Sequence, residues 1–180
     1  MSKQESLLNL DQINSMDKET FVASLGGIFE HSPWVAEGAY SRLPFRSVEE
    51  LHQVMLDTAR GAKRSQVEAL LKAHPDLATR LAVTPLSAAE QQGAGLDRLT
   101  PEEFERLTEL NCSYTGKFRF PFILAVRGKN KDDIIQAIEE RVHRSVEEEW
   151  EQALSEIGRI TSFRLHDLLA DVPNGEGASL

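Results

Sequence analysis

The sequence predicts an all-α fold: a single-domain, multi-helix bundle interrupted by one irregular, extended, buried segment at about 118–126. Three observations carry this expectation. Along nearly every segment apolar residues recur at three- and four-residue steps, the period of a helix rather than a strand. Ser/Thr-x-x-Glu boxes mark helix starts at Ser65/Glu68, Ser87/Glu90, Thr100/Glu103 and Ser145/Glu148; in such a box the hydroxyl takes the third amide and the carboxylate reaches back to the first. The stretch FRFPFILAV at 118–126 breaks the pattern. It is too apolar for a surface loop, and Pro121 in its middle excludes a regular helix or central strand.

Taken in order, helices are expected near 17–30, 34–42 and 47–60, then over RSQVEALLKAH at 64–74. Further helices should begin at Ser87, at Thr100 with Pro101 in the first helical position, near 131, and at Ser145 for a long run to about 170. The helical domain is placed at 1–170, and DVPNGEGASL at 171–180 reads as a flexible tail.

Composition narrows the function classes. The chain has 180 residues, 41% hydrophobic and 27% charged, as ordinary globular domains have. A net charge of −9 argues against a nucleic-acid partner, which would need a basic face. An anionic small-molecule substrate would have to be attracted by a few placed cations. No apolar run approaches the ~20 residues of a membrane span, and MSKQESLLNLDQ is no signal peptide. Cys112, the only cysteine, cannot form an internal disulfide and reads as a packing residue, so a reducing, cytoplasmic location is expected.

Two charged residues fall on apolar stripes. His74 lies seven after Val67, four after Leu70 and three after Leu71, directly before Pro75, which must end the helix there. It is either a satisfied core or capping histidine, or a functional imidazole that Asp76 could orient. Arg164 lies on the stripe of Val146, Trp150, Ala153, Leu154, Ile157, Ile160 and Leu168. A buried guanidinium needs an anion, supplied by an internal ion pair or by a ligand carboxylate matched to its planar fork. Glu90 is explained by its box with Ser87, or by a ligand; Gln91, Gln92 and the AGL after them would add polar groups and a close-approach glycine near a helix start.

Glu49-x-x-His52 and Glu140-x-x-His143 match the spacing of di-iron carboxylate bundles. Both glutamates fall off their helices' apolar faces, so no metal is expected, and no phosphate-binding glycine motif occurs.

The ordered set AHPDLA at 73–78, SAAEQQGAGL at 87–96, LNCSYTGKFRFPFILAVRG at 110–128 and ALSEIGRITSFRLHDLL at 153–169 resembles the 2-oxo-4-hydroxy-4-carboxy-5-ureidoimidazoline (OHCU) decarboxylases of urate breakdown. The resemblance covers roughly residues 17 to 170. It implies an all-helical homodimer that uses no cofactor and yields carbon dioxide and (S)-allantoin. Carried onto this sequence, the catalytic residues are His74, Glu90 and Arg164. The substrate-binding residues are Pro75, Ser87, Ala88, Ala89 and Gln91, together with the backbone of Phe122, Ile123, Leu124, Ala125 and Val126. The connection 79–86 is shorter than in some relatives. Two other readings stay open: a non-catalytic helical interaction or regulatory module, in which the three residues form an internal network, and a di-iron helical oxidase.

Overall fold

The computed structural model describes residues 7–78 and 84–169; residues 1–6, the connection 79–83 and residues 170–180 with the expected tail lie outside the described residues. The protein is all-α, and among the described residues the only strand-like feature is an isolated bridge between Leu8 and Leu169. The chain divides into two compact units, Met1–Gly61 with Thr161–Leu180, and Ala62–Ile160.

The first unit begins with α1 (Leu10–Asn14), a short helix the periodicity does not announce, closed by an Asn9/Gln12 capping box. Helix α2 (Lys18–Leu25) is capped by Asp17 and stops at Gly26, five residues before the expected end. Helices α3 (Trp34–Tyr40) and α4 (Val48–Arg60) follow, and α3 packs against both α2 and α4. The α3–α4 approach depends on Gly38, where a Cβ would come within 2.6 Å of the Thr58 methyl. Ser47 caps α4, whose Leu51, Met55 and Ala59 are buried at four-residue steps as the periodicity predicts.

The second unit holds α5 (Arg64–Ala73), α6 (Pro85–Gly93), a 3₁₀ turn (Leu96–Arg98), α7 (Pro101–Phe118), α8 (Lys131–Arg141) and the first part of α9 (Val146–Leu168). Two of the four expected boxes form as read, Thr100/Glu103 and Ser145/Glu148. The other two do not. Helix α5 starts one residue before Ser65, with Lys63 in the capping position. Helix α6 starts with Pro85, and Thr84 is the cap, its hydroxyl accepting from Ser87 N–H at 3.3 Å. Proline at the first helical position costs no hydrogen bond, so Thr-Pro wins the start from Ser87.

Helix α7 runs through Gly116 and ends at Phe118; Arg119 adopts the left-handed conformation (φ 67°) and returns its N–H to Thr115 O at 2.9 Å. The irregular segment therefore begins one residue later than expected. Residues 120–126 are all buried, and Tyr114, Phe118, Phe120, Phe122 and Trp150 stack around them edge to face or tilted. Cys112 does not pack; its side chain is exposed on α7.

Candidate active site

His74 ends α5 as the sequence requires. Its backbone is extended (φ −73°, ψ 136°), as a residue before proline must be, and its side chain is buried at 8% exposure. Nδ1 lies 3.0 Å from the carbonyl oxygen of Leu70, one turn back. A carbonyl can only accept, so Nδ1 carries a hydrogen and Nε2 is the nitrogen whose proton can come and go. Asp76 keeps an exposed side chain, and partial desolvation raises its carboxyl above the ordinary carboxylate value.

The loop after Pro75 is tied down from two helices. Ala78, in the left-handed region (φ 58°), donates its N–H to Gln91 Oε1 on α6 at 2.9 Å. Asn111 of α7, buried at 6% exposure, donates from Nδ2 to Leu77 O at 3.0 Å. Gln91 is legible in the sequence as a polar group near a helix start, and the resemblance also names it. Asn111 was missed, although it sits one residue from Leu110 and four from Leu107, two buried positions of the same face.

With Thr84 as the cap, Ser87 and Glu90 are not a capping pair. Ser87 is buried in the first turn of α6, Glu90 and Gln91 are half-buried, and Ala88 and Ala89 are exposed. The expected glycine near the helix start is also relocated. Ala94, Gly95 and Leu96 lie beyond the C-terminal end of α6, and Gly95 is needed for its positive φ of 78°. No atom lies within 4 Å of where its Cβ would be, so close approach is not its reason.

The buried segment 121–126 has neither helix nor turn, so its peptide groups need partners elsewhere. Side chains of the same unit supply two. Arg141 Nη1 donates to Ile123 O at 2.8 Å, and Ala125 N–H donates to Glu156 Oε2 at 3.0 Å. Arg141 also donates through Nε to Glu149 Oε1 at 2.8 Å and lies over the Phe122 ring, 4.4 Å from its centroid. Tyr114 donates its hydroxyl to the same Glu149 oxygen at 2.5 Å. Burial and the adjacent carboxylate push that phenol far above its ordinary pKa, so it stays a donor. Arg141, Glu149 and Glu156 are 4%, 0% and 2% exposed, and none was singled out from sequence. The signal was present: Arg141 is three after Ile138, and Glu149 and Glu156 share the α9 stripe with Ala153 and Ile160 at three- and four-residue steps.

Arg164 belongs to the other unit. It is 4% exposed, as its stripe predicts, and Nη1 reaches Glu30 Oε2 at 2.9 Å and Ile28 O at 3.2 Å. Glu30 is itself 2% exposed. The anion a buried guanidinium requires is thus an internal carboxylate in the described contacts.

The Glu-x-x-His pairs do not converge. Glu49 pairs with His166 at 3.4 Å, His52 lies 3.0 Å from Thr161 Oγ1, Glu140 accepts from Gln136, and His143 falls beyond the end of α8. Among the described residues no group of three acidic, histidine or cysteine side chains is placed to hold a metal ion. No helix among them is long and apolar enough to cross a membrane.

Fold and site together define a class of all-helical proteins whose buried charged side chains hold a non-helical backbone segment in the core. Comparisons with known proteins say which family the chain resembles. The OHCU decarboxylase family model matches residues 14–166. The chain is 42% identical over 161 residues to the 2-oxo-4-hydroxy-4-carboxy-5-ureidoimidazoline decarboxylase of Halalkalicoccus jeotgali, covering 89% of this chain and 92% of that one. The crystal structure of an (S)-allantoin synthase superposes with a TM-score of 0.75 at 30% identity, covering 90% of this chain and 54% of that one. A crystal structure of OHCU decarboxylase in the presence of (S)-allantoin superposes at 0.67 and 23% identity over 87% and 100%, a likeness that speaks for the fold. The chain belongs to the OHCU decarboxylase family.

Proposed function

We propose that this chain releases carbon dioxide from OHCU without a cofactor and delivers (S)-allantoin, with His74, Glu90 and Arg164 as the side chains that meet the substrate. The reaction is carried by one observation, the family match across residues 14–166, which makes the chain a carboxy-lyase of urate degradation.

The chemistry suits a protein working through its own groups. When the bond to the carboxylate breaks, its electron pair moves toward the adjacent ring imine and carbon dioxide leaves. A proton delivered to the ureido-bearing carbon sets the handedness, and loss of the hydroxyl proton gives the carbonyl of allantoin. The protein has to orient the carboxylate, stabilise charge and supply that proton on one face. His74 supplies it from Nε2, the nitrogen left for exchange once Nδ1 is committed to Leu70 O. Glu90 holds the substrate's hydroxyl or ring N–H. Arg164 binds the carboxylate and spreads the developing charge, its guanidinium aligned by Glu30. Pro75, Ser87, Ala88, Ala89 and Gln91 form the wall, and the backbone of 122–126 takes the ureido and ring carbonyl groups. The loss of the Ser87/Glu90 box supports this reading, because helix capping no longer accounts for those two residues.

A homodimer in a reducing, cytoplasmic compartment completes the proposal; the single exposed thiol of Cys112 suits such a compartment. Light scattering that returns a monomer mass would remove the dimer. The function is tested by generating the substrate in place with urate oxidase and the hydrolase that follows it, then following the rate and handedness of allantoin formation. Acceleration with a single enantiomer is expected; spontaneous, racemic decay would refute it.

A further inference from the structure

Among the described residues no strand lies beside the buried segment, and two of its polar groups, Ile123 O and Ala125 N–H, are taken by side chains instead. Arg141 fills one position at 2.8 Å and Glu156 the other at 3.0 Å. Both side chains are buried and held from behind. Arg141 is anchored by Glu149, which Tyr114 also engages; Glu156 turns its second oxygen to Gln152 Nε2 at 2.9 Å and to Arg159 at 3.3 Å. Leu124 is 8% exposed, and among the described residues neither of its own peptide groups, nor Ile123 N–H nor Ala125 O, takes a hydrogen bond. Buried peptide groups are rarely left so, because each costs about 1–3 kcal/mol unless something binds it.

We propose that Arg141 and Glu156 are positioning residues that hold the segment at Ile123 and Ala125 and thereby aim its remaining backbone groups, those of Leu124 among them, at the amide-like ureido group of the substrate. This rests on the reading that 122–126 binds substrate. The two side chains touch no reacting atom. They replace a β-strand partner with one guanidinium and one carboxylate, each buried and paired, and so keep a non-helical backbone rigid inside a helical protein. A cyclic ureide offers adjacent N–H and C=O groups, the complement of a peptide edge.

The test separates reach from charge. Glu156→Gln keeps an acceptor oxygen at full length, whereas Glu156→Asp keeps the charge on an arm one carbon shorter. If Glu156 positions the segment, Glu156→Asp raises KM about tenfold with kcat changed less than about threefold, and lowers the enantiomeric purity of the allantoin. Glu156→Gln then stays within about twofold of the parent. The reverse order, or wild-type KM in both, overturns the proposal. Should Glu156→Asp fail to fold, Arg141→Lys serves instead: one ammonium cannot reach both Glu149 and Ile123 O, so KM rises if the clamp matters and is unchanged if it does not. Hydrogen exchange gives a readout independent of turnover. The Ala125 amide is expected to exchange at least about tenfold faster in Glu156→Asp and at the parent rate in Glu156→Gln. If the parent fails to accelerate decarboxylation, the functional reading falls, while the exchange rates still decide whether the clamp exists.

Discussion

At the scale of single residues, His74 shows how a helix end fixes chemistry. Pro75 forces the backbone out of the helix, and Leu70 O one turn back accepts from Nδ1–H, so the ring can neither rotate nor change tautomer freely. His74→Ala is therefore expected to lose about 100-fold or more of the decarboxylation rate, while circular dichroism and thermal melting show a folded chain. A rate within threefold of the parent would make the histidine a helix cap only. Arg164 was legible as a buried cation because a 3.6-residue stripe needs nothing but local spacing. Its partner Glu30 was not, since it comes from 134 residues earlier in the chain. Glu30→Ala removes a buried carboxylate from a buried guanidinium and should cost about 3–5 kcal/mol in urea unfolding; a loss below 1 kcal/mol would show that the pair is dispensable.

At the scale of elements, short-range sequence rules compete and the structure shows which wins. Ser65 and Ser87 each head a capping box on paper, yet both lie inside their helices, because the backbone begins earlier at Lys63 and Thr84. Thr100 and Ser145 face no rival start and cap as read. Thr100→Ala should lower the stability of the protein by about 1 kcal/mol. The other end of α7 carries an avoidable strain: Arg119 occupies a left-handed conformation that favours glycine. Arg119→Gly is expected to raise stability by about 1 kcal/mol in chemical denaturation, and a fall would show that the arginine side chain contributes more than its backbone costs.

At the scale of the whole molecule, acids at helix starts couple folding to pH. The carboxyls of Asp17, Glu103 and Glu148 are all held below the ordinary carboxylate range. The chief causes are the Thr20 side chain for Asp17, Lys131 for Glu103, and the Ser145 backbone for Glu148. The unfolded chain therefore binds protons first as pH falls, so their stabilisation is full above about pH 5 and declines through pH 4 and below. Asp76, raised by desolvation, contributes with the opposite sign. Melting temperatures between pH 3 and 7 should fall toward acid, and a flat profile would contradict the three capped carboxyls.

By itself the sequence determined the helical class, a break at about 118–126 that the structure starts one residue later, the burial of His74 and Arg164, and the family. Each of these depends on neighbours in the chain or on an ordered set of short motifs. The tertiary structure decided which group answers each buried charge. Glu30 meets Arg164, Glu149 meets Arg141, and Glu156 and Arg141 meet the segment at Ala125 and Ile123. Helical periodicity is set within a few residues, whereas the partner of a buried charge arrives only when distant parts of the chain pack, and burial without that partner would cost more than a fold can spare.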